Sequence, residues 1–150
     1  AYLYGILLST ISIGMIISTF ILGKINIKNK SGLFILISFL IMGTFMIILG
    51  IYNSIFMAII STLLIGFSYG LISLPTSVLI QTKSPKESIG LISGSFYSII
   101  EIPPIISSFT AGILIFWYSI RSIILSFGIL SIILFIVFIL LFKDLRNVKY

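Results

Sequence analysis

The sequence predicts an all-α protein, a polytopic bundle of about five transmembrane helices. Its 150 residues are 59% hydrophobic and only 8% charged, whereas a soluble domain is about 45–50% apolar and about 25% charged. The apolar residues form five runs, each near the roughly 20 residues that a helix needs to cross a bilayer. Because lipid offers the backbone no hydrogen-bond partners, such runs are expected to be helices.

The five runs follow one another with short polar connectors. In chain order they cover about residues 2–23, 32–52, 55–80, 89–116 and 120–142. The fourth run is longer than the others and is interrupted by more polar residues.

The basic residues predict the orientation of these helices. Eight of the nine Lys and Arg residues lie in three segments, 24–30, 81–88 and 143–150, and the ninth is Arg121. Cytoplasmic loops carry an excess of Lys and Arg. We therefore expect a multi-pass protein of the cell membrane with its N-terminal end outside and its C-terminus in the cytoplasm. The aromatic residues at the predicted outer boundary are Tyr52, Trp117 and Tyr118.

The start of the chain predicts that it is a fragment. Ala1 is not an initiating methionine, and an apolar run begins at once. An odd number of helices with an outer start would become an even number with a cytoplasmic start if one helix preceded it.

Small residues recur at a spacing of four, which places them on one face of a helix. Such faces let helix backbones approach closely within a membrane. Two interpretations stay open: the faces serve packing alone, or they move against each other. The residues concerned are Thr10, Gly14 and Ser18, then Gly66 and Gly70, then Gly90, Gly94 and Ser98, and finally Ser108 and Gly112.

Glu101 is an acidic residue deep within the fourth run. A carboxylate at that depth is costly unless it is paired, hydrated or protonated, so it is a candidate proton carrier. The alternative is a structural carboxyl group bonded to Tyr97, one turn back, or to a serine. Pro103 and Pro104 follow and remove two backbone donors, which predicts a bent or unwound helix that lines a pathway with Glu101 and Tyr97. For Pro75, a simple packing kink is the preferred interpretation.

Several functional classes are excluded by what the sequence lacks. It contains no Cys and no His, so it has no thiol chemistry and none of the usual zinc ligand sets. It has no glycine-rich phosphate loop and no Ser/His/Asp set. We therefore expect no catalytic residues, no metal, no cofactor and no enzymatic activity. The basic residues are explained by membrane topology, so no nucleic-acid partner is expected.

Two stretches resemble a known family. The first consists of Tyr4–Ser9, Gly14-Met15 and Leu22–Lys24, and the second of Gly66–Gly70, Leu79–Pro85 and Gly90. They resemble the eighth helix, the tenth helix and the loop into the eleventh of a major facilitator superfamily transporter, most closely its drug and macrolide efflux branch. Two departures are Ile27, where the loop signature has an acid, and Leu91, where the family often has Arg after Gly.

The resemblance implies that the chain is most of the second half of a twelve-helix fold, from about helix eight to helix twelve. Its partners would be the lipid bilayer, the missing N-terminal half and a small-molecule substrate. It would be a secondary transporter, an antiporter that exports a small amphipathic molecule against protons by alternating access. The alternatives are a non-transporting scaffold or gene remnant, and an uptake permease. The implied cytoplasmic loop residues are Gly23, Lys24, Lys28, Lys30, Lys83 and Lys86.

Overall fold

The computed structural model describes residues 2–25 and 31–141, and this part of the chain is helical with no strand. A single 3₁₀ turn, Lys86–Ser88, precedes the fourth helix. The all-α fold class is confirmed. The five helices are α1 (Tyr2–Gly23), α2 (Ser31–Ile51), α3 (Ile55–Lys83), α4 (Ile89–Leu114) and α5 (Ile120–Leu141).

All five helices are long and apolar enough to cross a membrane, so the chain is a multi-pass membrane protein. The helix bounds differ from the sequence-based spans mainly at two places. Helix α3 extends three residues further, to Lys83, where the Ser84 N–H still bonds the Ile80 carbonyl. Helix α4 ends at Leu114, two residues early, in a turn that leads to α5.

The helix contacts fix the relative directions of the elements. Thr10 contacts Thr62 and, further along α1, Ser18 lies against Gly70, so α1 and α3 run parallel. Ser131 bonds Phe39 while Leu125, earlier in α5, lies against Gly50, so α2 and α5 run antiparallel. Helices α2 and α3 form a hairpin through the short connector 52–54.

These directions give the bundle two chemically different ends. The ends of α1 and α3 lie together, and they bring Lys24, Lys83 and Lys86 to one end, which we call the basic end. Lys28, Lys30 and residues 142–150 lie outside the described residues. The opposite end, which we call the aromatic end, carries Tyr52, Trp117, Tyr118 and Arg121.

Helices α1 and α3 approach closely because glycines face them. A Cβ atom at Gly14 would collide with the Leu63 carbonyl oxygen, and one at Gly66 would collide with the Ile11 carbonyl oxygen. A Cβ at Gly70 would collide with the Ser18 hydroxyl. Since lipid provides no hydrophobic drive between helices, this close backbone contact is a principal source of attraction between them.

A second glycine interface joins α2 to α5. A Cβ at Gly128 would lie 2.8 Å from the Ile47 Cγ1 atom, and one at Gly43 would lie 2.9 Å from the Gly128 carbonyl oxygen. The Ser131 hydroxyl donates to the Phe39 carbonyl at 3.0 Å. The two close-packed pairs, α1 with α3 and α2 with α5, are joined through α2 and α3.

Helix α4 is the exception in this arrangement. None of its residues is buried, and it touches α3 only sparsely.

Candidate functional site

Three polar residues of α4 share one face of the helix. Tyr97, Glu101 and Ser108 are spaced by four and seven residues, which places them on a common stripe. Glu101 is the one acidic residue inside a described helix, and its side chain is exposed. An uncovered carboxylate midway along a spanning helix requires water, a proton or a counter-charge beside it.

The Tyr97 hydroxyl connects this stripe to α3. It lies 3.1 Å from the Ser77 hydroxyl, within hydrogen-bond distance. The Tyr97 ring also packs edge-on against Phe96, with ring centroids 5.8 Å apart. Among the described residues, no hydrogen bond joins Glu101 to Tyr97 or to a serine. The structural bonds of Glu101 considered from the sequence are therefore not formed among the described residues.

Pro103 and Pro104 do not unwind α4, which stays helical from Ile89 to Leu114. Of the bent or unwound helix expected from the sequence, the unwound form is therefore wrong. The physical reason is that proline fixes φ near −65°, a helical value, so the chain can lose two backbone hydrogen bonds and still keep its helical path. The Pro104 carbonyl accepts hydrogen bonds from the hydroxyls of Ser107 and Ser108, at 3.0 and 2.8 Å. Pro75 likewise lies inside the continuous α3, where it is fully buried.

The second half of α4 faces a groove of about 450 Å³ between α4 and the α2–α5 pair. Ser107, Ser108 and Ala111 form the α4 wall, and Met42, Met46 and Phe127 are among the residues opposite. The polar stripe of α4 thus connects a contact with α3 at Tyr97 to this groove, and Glu101 lies between them.

The small-residue faces fall into two groups in the structure. Thr10, Gly14 and Ser18 of α1 lie against Thr62, Gly66 and Gly70 of α3. By contrast, a Cβ at Gly90, Gly94 or Gly112 of α4 would meet no described atom within 4 Å. The α4 face therefore lies open, although its residue spacing is the same.

The α2–α5 glycines were not identified from the sequence. Gly43 and Gly50 are seven residues apart, two helical turns, and they escape a search for pairs at a spacing of four. A search for glycines at a spacing of seven would have found them.

Two predicted loop residues, Gly23 and Lys24, lie where α1 ends and the following connector begins. Gly23 ends α1, and a Cβ there would have open space. The Lys24 ammonium group lies 4.5 Å above the centre of the Phe20 ring, a cation–π distance. Lys83 closes α3, and Lys86 opens the 3₁₀ turn.

Within residues 2–25 and 31–141, no three His, Cys, Asp or Glu side chains cluster together. The chemistry that these residues offer is binding of a proton or a cation at Glu101, beside hydroxyl groups and an aromatic pair.

The five spanning helices define a multi-pass helical membrane protein. Residues 1–149 match the family model of the Major Facilitator Superfamily. The chain belongs to this superfamily and is a membrane transporter at that level. Comparison with curated proteins and with solved structures finds no significant match to either.

Proposed function

We propose that this chain takes part in proton-linked efflux of a small amphipathic molecule by alternating access. In this proposal the basic end faces the cytoplasm of a cell membrane and the aromatic end faces outward. The substrate moves along the polar stripe of α4, and Glu101 takes up and releases the proton that drives each cycle.

The observation that carries the proposal is the unusual position of α4. Helix α4 is the one described α-helix without a buried residue, and it carries Glu101 midway along its length. A carboxylate exposed to hydrocarbon would be costly, so we infer that the stripe with Glu101 faces water or another protein surface. A water-filled path along α4 satisfies that requirement.

Glu101 is suited to carry the proton because its charge is not compensated within the described chain. The basic side chains of the described residues lie at the ends of the helices and not near its depth. A carboxyl group at that depth has to be hydrated, paired or protonated. Opening and closing of the path would then couple to gain and loss of a proton.

Alternating access requires a second body that faces this bundle. Substrate sites of such transporters lie near the bilayer midplane, between two repeats. We propose that an N-terminal half of the same transporter covers the open stripe of α4. The uncovered Gly90, Gly94 and Gly112 would permit close approach of that half.

The test measures proton coupling in inverted membrane vesicles that contain the natural full-length protein. A pH gradient is imposed, and its dissipation is followed by acridine orange fluorescence after addition of amphipathic dyes. Glu101→Gln removes the titrating group and keeps its size, so we expect at least a tenfold loss of dye-induced dissipation. Glu87→Gln is the matched control, because Glu87 lies in the 3₁₀ turn that precedes α4, and it should behave as wild type.

The other functions give different results in the same assay. If Glu101→Gln dissipates the pH gradient as fully as the wild type after dye addition, Glu101 does not carry the proton. A wild-type protein that passes no dye and no protons would favour the non-transporting scaffold. Dye accumulation in right-side-out vesicles, driven by an inward proton gradient, would favour an uptake permease.

A further inference from the structure

A second groove lies on α1, away from the α4 stripe. It has a volume of about 830 Å³, and six of its eight lining residues belong to α1, with Lys24 following that helix and Leu74 contributed by α3. The lining is mostly apolar and includes Met15, Ile16 and Phe20, of which Ile16 and Phe20 are 69% and 66% exposed.

The two hydroxyl groups that line the groove already donate hydrogen bonds within α1, so they do not require a polar ligand. Ser12 donates to the Leu8 carbonyl at 3.2 Å, and Thr19 donates to the Met15 carbonyl at 2.8 Å. Because both hydroxyls are satisfied by their own helix, the groove presents an apolar surface along its length. Its occupant should therefore be apolar along that length as well.

The length of the groove matches one leaflet of a bilayer. It extends from Ser12 to Lys24, which at about 1.5 Å per residue corresponds to roughly 18 Å along α1. Half of a hydrocarbon core about 30 Å thick is about 15 Å. A single acyl chain that enters at the basic end would fill the groove from the membrane surface to near the midplane.

One charged side chain, Lys24, lines this groove, and it lies at the basic end. Its ammonium group is held 4.5 Å above the ring of Phe20, which lines the same groove. No carboxylate among the described residues pairs with it. A cation at the membrane surface attracts anionic lipid headgroups, so the charge complements a ligand with an anionic head above an apolar tail.

We propose that this groove binds an anionic phospholipid, with one acyl chain along α1 between Ser12 and Gly23 and the headgroup phosphate on Lys24. The lipid would be drawn from the leaflet that meets the basic end. This inference does not depend on proton coupling or on the direction of transport.

The experiment counts lipids that stay bound to the full-length protein in native mass spectrometry. The protein is equilibrated with palmitoyl-oleoyl phosphatidylglycerol and, separately, with the phosphatidylcholine that carries the same chains. We expect at least fivefold greater retention of phosphatidylglycerol and a loss of at least threefold in Lys24→Gln. The matched control is Lys86→Gln, which removes a cation from the same end but outside the groove and should retain the wild-type count.

A second variant tests the apolar part independently of the charge. Thr19→Phe fills the groove from an exposed position, so folding should be preserved and retention of phosphatidylglycerol should fall at least threefold. Equal retention of the two lipids would overturn the proposal, and so would equal effects of Lys24→Gln and Lys86→Gln. Preferential binding of free oleate would also overturn it in favour of a fatty-acid site.

Discussion

The hydroxyl oxygens of Thr10 and Thr62 lie 2.7 Å apart and join α1 to α3 by a hydrogen bond within the membrane-spanning region. Each hydroxyl also lies within hydrogen-bond distance of a carbonyl of its own helix, Leu7 for Thr10 and Ala58 for Thr62. A hydroxyl has one proton to donate, so one threonine donates across the interface and its partner donates back to its own helix.

The first prediction follows from this pair. Valine has the shape of threonine without the hydroxyl, so Thr10→Val and Thr62→Val should each destabilise the α1–α3 interface. A double-mutant cycle should give a coupling free energy of about 0.6 kcal/mol, and at most about 1.7 kcal/mol, as for other interhelical bonds in membranes. The measurement is reversible unfolding in mixed micelles. Strictly additive effects would show that the two hydroxyls do not interact.

The second prediction concerns glycines that differ only in what faces them. Gly66→Ala should destabilise the protein by about 1–3 kcal/mol, because the added Cβ collides with the Ile11 backbone and forces α1 away. Gly5→Ala is the matched control in α1, since its Cβ would meet no described atom outside its own helix. It should leave stability unchanged or raise it by up to about 1 kcal/mol through helix propensity. Unfolding in mixed micelles measures both variants, and equal destabilisation would contradict the packing described here.

The third prediction concerns Ser77 and Tyr97. Loss of their hydrogen bond, by Ser77→Ala or Tyr97→Phe, should loosen α4, because this helix has few other contacts with α3. Amide hydrogen exchange within α4 should become at least threefold faster, while exchange in α1 stays unchanged. Tyr69→Phe is the control, since Tyr69 is an exposed tyrosine of α3 that forms no hydrogen bond with the described residues. An unchanged exchange rate in both test variants would show that the bond does not hold α4.

The fourth prediction concerns which end of the bundle faces outward. It uses single introduced cysteines, because this sequence contains none of its own. Single cysteines are introduced as Lys86→Cys at the basic end and Asn53→Cys at the aromatic end. A membrane-impermeant maleimide applied to intact cells should label Asn53→Cys and should reach Lys86→Cys only after the membrane is opened. Labelling in the reverse order would place the basic end outside and contradict the positive-inside assignment.

Much of the fold follows from the sequence because the membrane restricts the possibilities. Apolar runs of spanning length have to form helices, and each predicted run corresponds to one of α1 to α5. The depth of Glu101 follows in the same way from its position in the fourth run. The sequence also indicated that Gly14 and Gly66 lie on faces suited to close approach.

The sequence did not decide which of those faces meet. Gly66 and Gly94 belong to stripes with the same spacing, yet one is packed against α1 and the other lies open. The sequence also did not determine that Gly43 packs against Gly128, or that α4 continues as a helix through Pro103. The physical reason is that spanning helices are apolar on every side, so hydrophobic periodicity does not mark the buried face. Helix pairing depends on the shape fit of two surfaces, and that fit exists only once the tertiary structure has brought them together.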